Sequence, residues 1–85
     1  METWLIKKAD IAKVLDMRSC IDAVEGSFRL HGQKKVQMPI KGYLSFDSYN
    51  GDMRSMSAYI PDFPIAGTKA STVHPDNPNR QMPTL

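Results

Sequence analysis

Hydrophobic positions along this 85-residue chain change period midway, dividing it into a helical half and a strand half. Trp4, Leu5 and Ile6 make a short apolar run that reads as an opening strand. Ile11, Val14 and Leu15 then fall at i, i+3 and i+4, one stripe of a helical turn bracketed by Asp10 and Asp16. Asp16 also suits the N-cap of the next segment, because its side-chain oxygen can accept from the unpaired amides of a helix start. That segment places Met17, Ile21, Val24 and Phe28 on one face, with Arg18, Asp22, Glu25 and Arg29 largely off it. The spacing predicts a helix from about Arg18 to about Leu30, stopping near Gly32.

From Val36 the period drops to two. Val36, Met38, Ile40, Gly42, Leu44 and Phe46 alternate with Gln37, Pro39, Lys41, Tyr43 and Ser45, the pattern of a half-buried strand. Pro39 suits an edge or the start of regular pairing. Asn50-Gly51 signals a two-residue hairpin turn, because both residues accept positive φ. Such a turn sets Asp47 opposite Arg54, Tyr43 opposite Ala58 and Lys41 opposite Ile60. Lys41 and Arg54 then share a face away from Ile40, Leu44 and Phe46. They also stand about six residue steps apart, roughly 20 Å, unless a bulge, a strong coil at Gly42 or a longer turn brings them closer. Pro61 to Pro64 is a turn, Ile65 to Val73 another strand, and His74 to Arg80 a loop dense in turn formers. Met82 to Leu85 looks like the start of a further strand. The expected fold class is α+β: two N-terminal helices packed on a small, mostly antiparallel sheet, within one partial domain over residues 1–85.

Composition narrows the function classes. Hydrophobic residues are 41% and charged residues 24%, an ordinary globular balance. A chain of this size buries only about 60–65% of its unfolded surface, which leaves a thin stability margin. The net charge is +2 and the eleven basic residues are dispersed, forming no basic helical face, so no nucleic-acid partner is expected. The single cysteine, Cys20, excludes an internal disulfide and reads as a buried, inert thiol in a reducing compartment. No apolar run reaches signal-peptide length or the ~20 residues of a membrane span, so a cytoplasmic protein with no membrane partner is expected. The five glycines stand singly, at Gly26, Gly32, Gly42, Gly51 and Gly67, with no phosphate-cradling loop and hence no expected cofactor on this chain. Met38, Met53 and Met56 read as core filler.

The candidate chemistry lies in three cations within strand-like text: Lys41, Arg54 and Lys69. A charge among apolar residues is costly unless an anion faces it. Arg54 offers a fork that can grip a carboxylate with two parallel hydrogen bonds, and the lysines are point charges able to hold an anion or polarise a carbonyl or imine. The plainer alternative is that Arg54 pairs with Asp47 or Asp52 at the hairpin mouth and the lysines are solvated edge charges. His74 and Asp76 lack further partners at ligand spacing and read as loop residues rather than a metal site. Ser71, Thr72 and His74 have nothing to align them as a nucleophilic set.

Motif order adds a resemblance. Ile21-Asp22-Ala23-Val24-Glu25-Gly26-Ser27-Phe28-Arg29 is followed by Gln37-Met38-Pro39 with Lys41, then Gly51-Asp52-Met53-Arg54-Ser55-Met56. Ala66-Gly67-Thr68-Lys69, His74-Pro75-Asp76-Asn77-Pro78 and Met82-Pro83-Thr84 complete the run. Together they resemble the N-terminal region of the ornithine cyclodeaminase/mu-crystallin family, most closely its alanine dehydrogenase branch. The resemblance implies a parent that is an NAD(P)-dependent enzyme or binding protein for small amino acids, keto acids or imino acids. It implies that this region supplies substrate contacts and a homodimer interface through its sheet, while a separate Rossmann domain, absent here, carries the dinucleotide and a catalytic aspartate. By motif, Lys41, Arg54 and Lys69 match the substrate-contacting basic positions. Arg54 and Lys69 would hold the substrate carboxylate, and Lys41 or Lys69 would sit near the reacting carbon in a catalytic role. The chain departs from the family pattern at Asp76, Gln81 and Ser57, which leaves the substrate open, and by itself it should be inactive. The rival reading is a self-standing α+β binding module for an anionic ligand or a protein partner.

Overall fold

Asp16 starts the principal helix as its chemistry predicts. Its backbone is extended, and its Oδ1 accepts the Ser19 amide at 2.7 Å. The computed structural model describes all 85 residues and divides into two compact units, Met1–Gln33 and Lys34–Leu85. In the first, helix α1 spans Lys8–Val14 and α2 spans Met17–Gly32. The Lys7 amide donates to the Asp10 carboxylate at 2.9 Å, which places an anion in the first turn of α1, where the helix dipole favours it. Along α2, Arg18 pairs with Asp22 and Arg29 with Glu25, each at i,i+4. The helix runs two residues past Leu30, to Gly32, and the left-handed step that follows falls on Lys34 (φ 59°) rather than on the glycine.

Trp4–Ile6 are not a strand. A strand requires a ladder partner, and the sheet consists of β1, β2 and β3 alone.

The second unit is an antiparallel meander: β1 at Gly42–Phe46, β2 at Gly51–Ile60 and β3 at Ile65–Val73, in the order β1-β2-β3. With helices first and strands after, the class is α+β. The strand expected from Val36 enters the ladder only at Gly42. Before it, Gln37 makes an isolated bridge to Tyr59, with N–H···O distances of 2.9 and 2.8 Å. Gln37 to Gly42 is five steps and Ser55 to Tyr59 is four, so this stretch carries one extra residue. Pro39, which lacks an amide to donate, lies within it.

The hairpin register also differs from the sequence expectation. Phe46 pairs with Gly51 and Tyr43 with Arg54, four residues short of Ala58. The loop is Asp47–Asn50, a short 3-10 turn closed by left-handed Asn50 (φ 44°, ψ 60°). Ser45 Oγ donates to Asp47 Oδ1 at 2.6 Å and braces this wider turn. Asn50 takes positive φ as its side chain permits, but Gly51 does not and is instead the first residue of β2. Beyond β3, Asn77–Arg80 form a second 3-10 turn. Met82–Leu85 form no strand; their link to the sheet is the His74 amide donating to the Thr84 carbonyl at 2.8 Å.

Neither unit contains a fully buried residue. The least exposed run is Gly51–Met56 of β2, as expected of the only strand flanked on both edges. Met53 and Met56 are half-buried on opposite faces, whereas Met38 is exposed. Cys20 is half-buried rather than buried.

Candidate functional site

Successive residues of a strand project to opposite faces, and directly paired residues project to the same face. Asp52, Arg54 and Met56 therefore share one face of β2. Tyr43 and Ser71 flank Arg54 on that face, and Lys69 flanks Met56. Arg54 and Lys69 stand one diagonal step apart, about 7–8 Å between backbones. Lys41 lies one residue before the last β1 pair, Gly42 with Ser55, in the unpaired stretch leading into β1, so it enters the sheet beside Ser55 rather than beside Tyr59. The observed turn thus removes the separation of roughly 20 Å that a two-residue turn would impose on Lys41 and Arg54.

Arg54 is held by two residues, Asp52 along one edge and Tyr43 over its face. Its Nε donates to Asp52 Oδ1 at 2.8 Å and its Nη2 donates to Asp52 Oδ2 at 3.1 Å. Its Cζ lies 5.4 Å from the centre of the Tyr43 ring, within cation–π range. The Tyr43 hydroxyl closes the triangle by donating to Asp52 Oδ2 at 2.9 Å. The plainer reading is thus correct about one partner: Arg54 pairs with Asp52, while Asp47 is engaged by Ser45. The hydrogen bond from Arg54 holds the Asp52 carboxyl below the usual aspartate range, with Tyr43 adding to the effect, and the same bond raises Arg54. Both groups are charged at neutral pH. Guanidinium carries five N–H donors, and Asp52 takes two from one edge. The opposite edge remains available to a second, planar anion.

Tyr43 is the site residue that the sequence does not reveal, whereas Asp52 is legible as a partner of Arg54. Tyr43 carried no charge signal, and its proximity to Arg54 depends on a turn length that Asn50-Gly51 misreports. The other candidates separate. Ser71 is on the Arg54 face and Thr72 on the opposite one, so the two cannot converge. His74 stacks on Phe46, with centroids 6.1 Å apart and planes 9° from parallel. Asp76 accepts from Asn50 Nδ2 at 3.1 Å. An open groove of about 500 Å³ lies among these loops, lined by Asp47, Asn50, His74, Asp76 and Arg80. A second hollow of about 340 Å³ touches the Arg54 face through Tyr43, Ser45 and Asp52. No helix is long and apolar enough to cross a membrane.

Comparison with known proteins gives this arrangement a family. The chain is 38% identical over all 85 residues to an alanine dehydrogenase of Archaeoglobus fulgidus, and spans 25% of its length. It superposes on an archaeal alanine dehydrogenase dimer with bound NAD at TM-score 0.83, with 38% identity over 99% of this chain and 25% of that one. The Δ1-pyrroline-2-carboxylate reductase of Thermococcus litoralis, solved with NADH and L-proline, shares the fold at TM-score 0.83. It is 23% identical, over 93% of this chain and 24% of its own. The chain therefore spans about a quarter of the length of the relatives it matches. A family model matches residues 1–85 throughout, and on that match and the alanine dehydrogenase identity the chain belongs to the ornithine cyclodeaminase/mu-crystallin family.

Proposed function

We propose that these residues form the substrate-contacting and dimer-forming N-terminal part of an NAD(P)-dependent amino-acid dehydrogenase or ornithine cyclodeaminase-like protein. The observation that carries the reading is the placement of Arg54 and Lys69 one diagonal step apart on a single sheet face, with one guanidinium edge uncommitted. That spacing suits a carboxylate gripped by the Arg54 fork and neutralised by Lys69. Lys41 enters the sheet beside Ser55, and either its ammonium or that of Lys69 would lie beside the carbon bearing the amino, keto or imino group. A small amino, keto or imino acid is the substrate class. The unpaired outer edges of β1 and β3 suit a second copy of the chain, hence a homodimer through the sheet.

The residues present do not fit a dinucleotide. The sheet is wholly antiparallel, and no glycine-rich turn leads from a strand into a helix. The nicotinamide cofactor belongs to the remainder of a longer polypeptide, in the cytoplasm.

The test is calorimetric titration of L-alanine, pyruvate and L-ornithine into the natural gene product carrying these residues. At least one should bind, and Arg54→Ala should weaken that binding about a hundredfold, to a level still measurable. Undiminished affinity in Arg54→Ala would overturn the carboxylate role, and a monomer in sedimentation velocity would overturn the dimer.

A further inference from the structure

We infer that Asp52 and Tyr43 are positioning residues that aim the free edge of Arg54 at the substrate carboxylate; this rests on the carboxylate-holding role proposed for Arg54. An arginine on an open sheet face has four rotatable side-chain bonds, and its fork is useful only in one orientation. Asp52 removes that freedom. It is two residues away on the same strand and the same face, and it engages Nε and Nη2 together, which fixes the guanidinium plane as well as its place. Tyr43, paired directly across β1–β2, closes over the cation and locks the carboxylate that locks the arginine. The three groups form a closed cycle in which each touches the other two.

Burial supports this over an incidental surface pair. The Asp52 side chain is 14% exposed and that of Arg54 34%, against 85% and 55% for the Arg18–Asp22 pair on α2. Asp52 accepts three hydrogen bonds within this cycle, two on Oδ2 and one on Oδ1, so it is well supplied without any ligand. Arg54 is not: Nη1 and one Nη2 hydrogen find no acceptor in the chain, and they form the end of the fork. The cycle satisfies the anion and leaves the cation half-used, which is the asymmetry a carboxylate receptor needs.

Titrating pyruvate into the natural gene product separates the two ideas. Asp52→Asn keeps size but turns an amide toward the guanidinium, and should weaken binding about tenfold. Tyr43→Phe keeps the ring and loses the hydroxyl, and should weaken it about threefold, while Asp52→Glu should recover most of what Asn loses. In an Arg54→Ala background none of these changes should matter further. Wild-type affinity in Asp52→Asn, with binding weakened in Arg54→Ala, would overturn the positioning role and leave the carboxylate reading intact. Equal losses with and without Arg54 would overturn it too, since a residue acting only on the fold does not depend on the arginine. Wild-type affinity in Arg54→Ala would bring down the carboxylate reading itself.

Discussion

Tyr43 lies directly across the β1–β2 ladder from Arg54, with the guanidinium carbon 5.4 Å from its ring centre. That pairing exists because the hairpin loop holds four residues, Asp47–Asn50, rather than two. The Tyr43 contact depends on that register, whereas the Asp52–Arg54 pair lies within β2 and the Arg54–Lys69 diagonal is set by the β2–β3 ladder.

Asp52 should make the strand unit acid-sensitive. Its carboxyl titrates below the usual aspartate range because Arg54 donates to it. A group whose folded pKa is depressed contributes stability above its unfolded pKa and loses it as pH falls through the folded value. Denaturation midpoints should therefore drop on acidification through and below the ordinary aspartate range. Asp52→Asn should flatten that limb while lowering stability at neutral pH; an unchanged acid limb would contradict the pairing.

Gly51 should resist substitution more than Gly42. A Cβ at Gly51 would meet His74 Nδ1 at 2.5 Å and the Val73 carbonyl at 3.0 Å, so it must push on backbone and on a ring already stacked against Phe46. At Gly42 the close atom is the Ser55 hydroxyl, at 2.5 Å, which can rotate away. Gly51→Ala should cost about 1–3 kcal/mol and Gly42→Ala clearly less, read as shifts in the urea midpoint. Equal costs would mean that the His74 stack yields freely.

Asn50 carries the turn. Its left-handed backbone favours Gly or Asn, and its amide also reaches Asp76. Asn50→Gly should retain the register with a small change in stability, while Asn50→Val should lose about 2 kcal/mol or more from backbone strain and the missing bond. The comparison is made by thermal melts, with cross-strand nuclear Overhauser contacts between Tyr43 and Arg54 reporting the register.

Lys69 should affect anion binding without affecting the fold. It is exposed and one diagonal step from Arg54. Lys69→Gln should weaken carboxylate affinity about tenfold and reduce its salt dependence, at unchanged melting temperature. An unaltered affinity would remove Lys69 from the site.

The helices were the most legible part of the chain, since the Met17–Ile21–Val24–Phe28 stripe and the Asp16 cap are local features. The expected bounds of α2 fall within two residues of the observed ones. The bounds expected for β3, Ile65 to Val73, match the structure because turn formers flank it on both sides. The first hairpin was less legible. Asn50-Gly51 satisfies a two-residue turn on paper, but the 3-10 turn and the Ser45–Asp47 bond compete for the same residues and prevail. Trp4–Ile6 were overread for a related reason: an apolar run cannot reveal whether a neighbouring strand exists to pair with it.

Periodicity, capping chemistry and motif order were enough to establish the α+β class, the family and the three cations as candidates, because each of these is written within a few residues or in their linear order. Folding in three dimensions settled which residues stand beside Arg54. Sheet register is a long-range property, and a change of two residues in a turn moves every cross-strand partner. Through it, Tyr43 came to lie over a guanidinium whose one edge is held by Asp52 of the same strand and whose other edge is free.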